Sequence, residues 1–123
     1  MIIADTSVWI EYLRKTDPDV SSMLKSYLKR DDVFIVSAIV GELLQGVKSK
    51  RERQIIELIW ESLPKANESN CFIQAGNLSN KYRLYAKGVG LIDSYLLAAC
   101  LKNNLALWTL DKKLLRAYDE MVG

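Results

Sequence analysis

Histidine is absent from this 123-residue chain. That absence removes Ser-His-Asp and Cys-His nucleophilic devices, histidine general acid–base catalysis and imidazole-based metal sites. Cysteine is scarce. Cys71 and Cys100 stand far apart, form neither a CxxC nor a zinc spacing, and are expected as buried free thiols. No apolar run approaches the ~18–20 residues needed to span a bilayer. Nor does a basic segment followed by an apolar stretch and a small-residue cleavage site open the chain. The expectation is a cytoplasmic protein with no membrane contact. A strong charge of one sign is missing too: 17 Lys and Arg face 15 Asp and Glu, a net charge of +2. Linkers and internal repeats are also lacking, so one domain over residues 1–123 is expected.

What remains is half apolar, enough for one domain with a real core. The chain is organised around its first seven residues, Met1-Ile2-Ile3-Ala4-Asp5-Thr6-Ser7. The apolar run is too short for a helix and reads as a buried strand ending at Asp5. Ser7 is positioned to cap a helix over 8–14. Asp17-Pro18 gives a second helix start, with proline at the first helical position, and helical spacing continues to residues 29–30. Residues 33–36 form a β-branched and aromatic run, a second strand. Ser37 is placed to cap a helix over 38–45 that stops near Gly46. A third amphipathic helix over 55–63 ends at Pro64, and the segment to 67 has the composition of a short strand. A long helix runs from residue 70 to about 87, followed by a turn at 88–90. Residues 94–101 are almost wholly apolar, a helix buried all round. A strand over 105–109 and a helix over 112–120 complete the chain. Strands alternating with helices point to a parallel sheet covered on both faces.

Four acids stand out by context. Asp5 and Asp111 each follow an apolar strand, while Glu42 and Asp93 lie within or at the start of apolar helices. Acids are rarely buried unless paired or metal-bound, and four in one small domain repel one another unless a cation gathers them. With no histidine or thiolate pair, the ligands would be oxygens, which suit Mg²⁺ or Mn²⁺.

Asp5-Thr6-Ser7, Glu42 in Val40-Gly41-Glu42-Leu43-Leu44-Gln45-Gly46, Asp93 in Leu91-Ile92-Asp93-Ser94, and Thr109-Leu110-Asp111 fall in the order and spacing of PIN domains. The chain most resembles the VapC-type toxin ribonucleases over nearly its whole length. The resemblance implies a three-layer α/β/α fold with a central parallel sheet of four or five short strands. It implies a Mg²⁺- or Mn²⁺-dependent endoribonuclease, a homodimer, and a cognate antitoxin that blocks the acidic site. Such members carry a further strand after the Asp111 motif, where this sequence shows none. Some also carry an acid at the position of Ser94, so the number of ions, one or two, stays open.

On this reading Asp5, Glu42, Asp93 and Asp111 are the metal-holding and catalytic set. The cation lowers the pKa of a water and offsets charge on the phosphate. Thr6, Ser7 and Thr109 position ligands or water. Arg14, Lys15, Lys48, Lys50, Arg51, Lys112 and Lys113 are the candidates to hold RNA phosphates. Each residue also has a plainer role. Asp5, Asp93 and Asp111 are placed to cap turns or helices, Glu42 to face solvent, and the basic cluster to be a solvated face. Trp9, Trp60 and Trp108 suit core or dimer contacts better than base stacking. Two other α/β classes with an acid after the first strand do not fit. A haloacid-dehalogenase phosphatase has a second Asp where Ser7 stands, and a receiver domain has an acid pair that is missing here. A housekeeping RNA-processing nuclease and a non-catalytic PIN scaffold are the remaining alternatives.

Overall fold

The computed structural model describes residues 1–123. Its sheet is built on the apolar N-terminal run. Ile2–Ala4 forms β1, with Ile3 and Ala4 wholly enclosed. β2 (Val33–Phe34) and β3 (Ala106–Trp108) flank it, both parallel, in the order β2-β1-β3. Ile3 pairs with Phe34 on one side and with Leu107 on the other. The chain therefore leaves β1 to one side, then crosses to the other. The crevice beyond the carboxyl ends of strands at such a reversal is where α/β sheets take ligands.

Parallel strands require long crossovers, and here they are helical. α1 (Thr6–Arg14) and α2 (Pro18–Lys29) join β1 to β2. α3 (Ser37–Gln45), α4 (Lys50–Ser62), α5 (Cys71–Tyr82) and α6 (Leu91–Asn103) join β2 to β3, and α7 (Lys112–Val122) follows. α6 is the helix expected to be buried all round, and every residue from Ser94 to Cys100 is buried, packed against α5, α3 and β3. Cys71 and Cys100 are buried free thiols, as their spacing suggests. Trp9 is fully buried, and Trp60 and Trp108 pack against the core from partly exposed positions. No helix is long and apolar enough to cross a membrane.

The α/β class with a parallel sheet agrees with expectation, but three strands form rather than four or five. Ile35 leaves the ladder and makes a single bridge to Lys65. Its N–H donates to the Pro64 carbonyl at 2.9 Å, and Ala66 N–H returns to Ile35 at 3.1 Å. Pro64 has no N–H with which to extend the pairing. After Asp111 the chain is helical through Val122.

Several helix limits also differ. α1 begins at Thr6 and is capped by Asp5, whose side chain accepts from Ser7 N–H; Ser7 is not the cap. Ser37 is the first residue of α3 rather than its cap. α4 starts well before residue 55 because Ser49 Oγ accepts from Glu52 N–H at 3.1 Å, a sound N-cap. α5 stops at Tyr82: Arg83 turns left-handed (φ 53°), and a single 3₁₀ turn over Leu84–Lys87 swings Leu84 into the core. α6 begins at Leu91, which puts Asp93 in its first turn.

Candidate active site

Asp5 is the residue at which β1 ends, and its N–H donates to the Trp108 carbonyl at 2.9 Å. Its carboxylate is buried and fully engaged. One oxygen accepts from Ser7 N–H (2.5 Å) and the Ser7 hydroxyl (2.6 Å), and the other accepts from the Thr109 hydroxyl. Ser7 Oγ in turn accepts from Leu110 N–H at 3.0 Å, and Thr109 Oγ1 from Asp111 N–H at 3.0 Å. These bonds knit the start of α1 to the segment after β3. Ser7 and Thr109 thus fix Asp5 and the Asp111 turn together.

Asp111 caps α7, its Oδ1 accepting from the N–H groups of Lys113 (2.8 Å) and Leu114 (3.3 Å). Glu42 projects from α3, where the Thr6 hydroxyl donates to its Oε1 at 2.7 Å. Asp93 comes from the first turn of α6. Asp5, Glu42, Asp93 and Asp111 all line one cavity of about 140 Å³, together with Thr6 and Ser7 and backed by Ile39, Ile92 and Leu96. The caps foreseen as plain roles for Asp5 and Asp111 are real, and they coexist with placement at the cavity. Glu42 is exposed, but it turns into the cavity rather than simply to bulk solvent.

The field in this cavity is strongly negative. The Asp93 carboxyl is raised from 3.8 to about 6, chiefly by burial and then by the charges of Glu42, Asp5 and Asp111. The Gly90 N–H pulls the other way without prevailing. Like charges confined in a poorly solvated space shift each other in this manner.

The donor set suits a hard divalent cation: carboxylate and hydroxyl oxygens only, with no sulfur or imidazole nearby. As the side chains stand, no three acids close on a common point. Holding an ion therefore requires the carboxylates to draw closer together.

Sequence reasoning missed Glu68. It lies before α5, yet its carboxylate accepts from Ser37 N–H (3.0 Å), the Ser37 hydroxyl (2.6 Å) and the Tyr95 hydroxyl. It thereby ties the start of α3, which carries Glu42, to α6, which carries Asp93. Burial, and secondarily the bond to Glu68, pushes the Tyr95 hydroxyl up to about 12, so it stays a donor. Nothing in the local sequence around Glu68 names partners this remote.

The basic candidates lie outside the acidic cavity. Lys112 and Lys113 open α7 directly after Asp111, an electrostatically unfavourable place for cations beside a helix N-terminus. Arg14 ion-pairs with Glu52 at 3.1 Å and shares a small cleft with Glu42. Lys48 N–H donates to Glu52 at 2.9 Å. Lys15, Lys50 and Arg51 are exposed, the first at the left-handed end of α1 and the others in the first turn of α4.

Residues 2–120 match the family model of the PIN domain. Ribonuclease VapC32 of Mycobacterium tuberculosis, in strains CDC 1551 / Oshkosh and H37Rv, is 32% identical over 124 residues, covering 98% of this chain and 92% of the relative. FitAcB from Neisseria gonorrhoeae superposes with a TM-score of 0.65 at 21% identity, covering 97% of this chain and 94% of the other. FitAB bound to an IR36 DNA fragment superposes at 0.63, also at 21% identity, over 97% and 91%. The two solved structures establish likeness of fold.

Proposed function

This chain belongs to the PIN-domain family, and from that premise we propose that it is a Mg²⁺- or Mn²⁺-dependent endoribonuclease, the toxin of a toxin–antitoxin pair. The observation that carries the reading is the meeting of Asp5, Glu42, Asp93 and Asp111, from four separate elements, in one cavity at the reversal point of the sheet. The similarity to Ribonuclease VapC32 supports RNA as the substrate, and an antitoxin partner is what the family resemblance implies. A homodimer follows from the family resemblance.

Asp5, Glu42, Asp93 and Asp111 would hold a divalent cation, which when bound would lower the pKa of a water and offset negative charge on the phosphate. The protein's part is to assemble and aim its carboxylates. Asp5 is held by Ser7 and Thr109, and Glu42 by Thr6. Asp93 is half-buried and feels the charge of the other three acids, which a cation would offset. Lys112 and Lys113 are placed to meet RNA phosphate beside Asp111, where attraction is sequence-independent and salt-sensitive.

Calorimetric titration with Mn²⁺ tests the ligand set. The wild type binds, and Asp5→Asn and Asp93→Asn each weaken binding by at least tenfold. Equal binding by the variants would remove those two residues from the site. Light scattering of the purified protein tests the dimer.

A further inference from the structure

Beside the acidic cavity lies a second, larger one of about 420 Å³, a groove between α3, α5 and α6. The two share Ala38, Glu42 and Ile92, so the groove opens directly from the acids. Two of its features stand open to solvent.

The first is Gly41. Glycine inside a helix costs roughly 0.5–1 kcal/mol relative to alanine, and a close intramolecular approach is the usual reason to keep one. Here a Cβ at Gly41 would meet nothing within 4 Å. Gly76 in α5 is equally unencumbered but lines none of the larger cavities. The missing side chain of Gly41 leaves the groove wide.

The second is Phe72, which is 55% exposed on the groove's wall. Its ring meets Tyr95 edge-on, centroids 5.4 Å apart at 72°, and Tyr95 is itself pinned by Glu68. Phe72 is thus a steadied aromatic surface presented to solvent. Gln45, on α3, also lines the groove, and an amide offers both a donor and an acceptor.

We infer that this groove is a nucleobase subsite, which takes the base next to the scissile phosphate of a single-stranded RNA. The inference rests on the ribonuclease reading. Continuity with the acids makes RNA the occupant. A strand whose phosphate lies at the carboxylates must place a neighbouring base close by, and unstacked bases seek an aromatic face with polar groups at its edge. Gly41 leaves room for the base, Phe72 stacks on it, and Gln45 meets its edge.

The test compares wild type, Gly41→Leu and Phe72→Ala on a labelled single-stranded RNA decamer of mixed sequence. The same decamer is also made with an abasic position next to the cleaved bond. Thermal unfolding and Mn²⁺ titration control for fold and metal site. The expected result is a loss in kcat/KM of about fivefold or more in Phe72→Ala, the lower end of base stacking on an aromatic, expressed in KM. Gly41→Leu should lose at least as much, with Mn²⁺ binding unchanged in both. On the abasic decamer the wild type and Phe72→Ala should converge. Variants that cleave both decamers like the wild type overturn the proposal. So does intact cleavage combined with lost inhibition by a protein partner, which would assign the groove to that partner. If the wild type neither cleaves the decamers nor binds Mn²⁺, the ribonuclease reading falls, and in any case without cleavage fluorescence anisotropy with the same decamer decides the groove separately. Weaker binding by both variants upholds a base site, and unchanged binding overturns it.

Discussion

The Thr109 hydroxyl donates to the Asp5 carboxylate, joining the ends of β3 and β1 across 104 positions of sequence. Because the same oxygen accepts from Asp111 N–H, one buried threonine orients two of the four acids. Thr109→Val is therefore expected to destabilise the protein by about 1–3 kcal/mol, the range for orphaning a buried partner. It should also lower cleavage, while Thr109→Ser retains both bonds and most of the activity. Chemical denaturation alongside an RNA cleavage assay measures both.

Asp5 has two roles that substitution separates. Asp5→Asn keeps an oxygen for Ser7 and should fold normally while losing cleavage. Asp5→Ala removes the cap of α1 as well and should cost about 1 kcal/mol of stability more. Denaturation midpoints of the two variants distinguish the cap from the chemistry.

Asp93 predicts a pH dependence of stability in EDTA. Its carboxyl lies near 3.8 when unperturbed and at about 6 in the fold, raised by burial and then by Glu42, Asp5 and Asp111. The native state thus holds the proton more tightly. The associated stability is fully present below pH 3.8 and lost as pH rises through 6. Asp93→Asn, which never ionises, should be more stable than wild type above pH 6, with the gap closing below pH 3.8. Thermal melts across that window check it, and a gap that widens in acid contradicts the account.

Glu68 predicts a coupling between helices. Glu68→Ala removes the acceptor shared by Ser37 and Tyr95, and should cost about 1–3 kcal/mol. It should also weaken Mn²⁺ binding by loosening α3 against α6. Glu68→Gln keeps an acceptor for the two hydroxyls and should recover part of both. Calorimetry on the two variants gives the comparison.

The acids were legible in the sequence because each carries a local signature. Asp5 and Asp111 follow apolar strands, and Glu42 and Asp93 interrupt apolar helices. Their meeting in one cavity is tertiary, and only the ordered set of motifs anticipated it. The limits that differed were those fixed by single bonds or by one residue's backbone. Asp5 rather than Ser7 caps α1 because its carboxylate reaches back to Ser7 N–H. The helix expected through residue 87 breaks at Arg83, where no glycine or proline marks the left-handed turn. The segment after Pro64 holds one bridge instead of a strand, because a proline donates nothing. Glu68 stayed hidden since both of its partners are about 30 residues away, at separations of 31 and 27.

The central claim is tested most directly by incubating the purified protein with a mixed structured RNA in Mg²⁺, in Mn²⁺ and in EDTA, with Asp93→Asn alongside. The account predicts cleavage with either metal, none in EDTA, and none by the variant. Cleavage that persists in EDTA or in Asp93→Asn contradicts it, as does a wild type that neither cleaves RNA nor binds either metal.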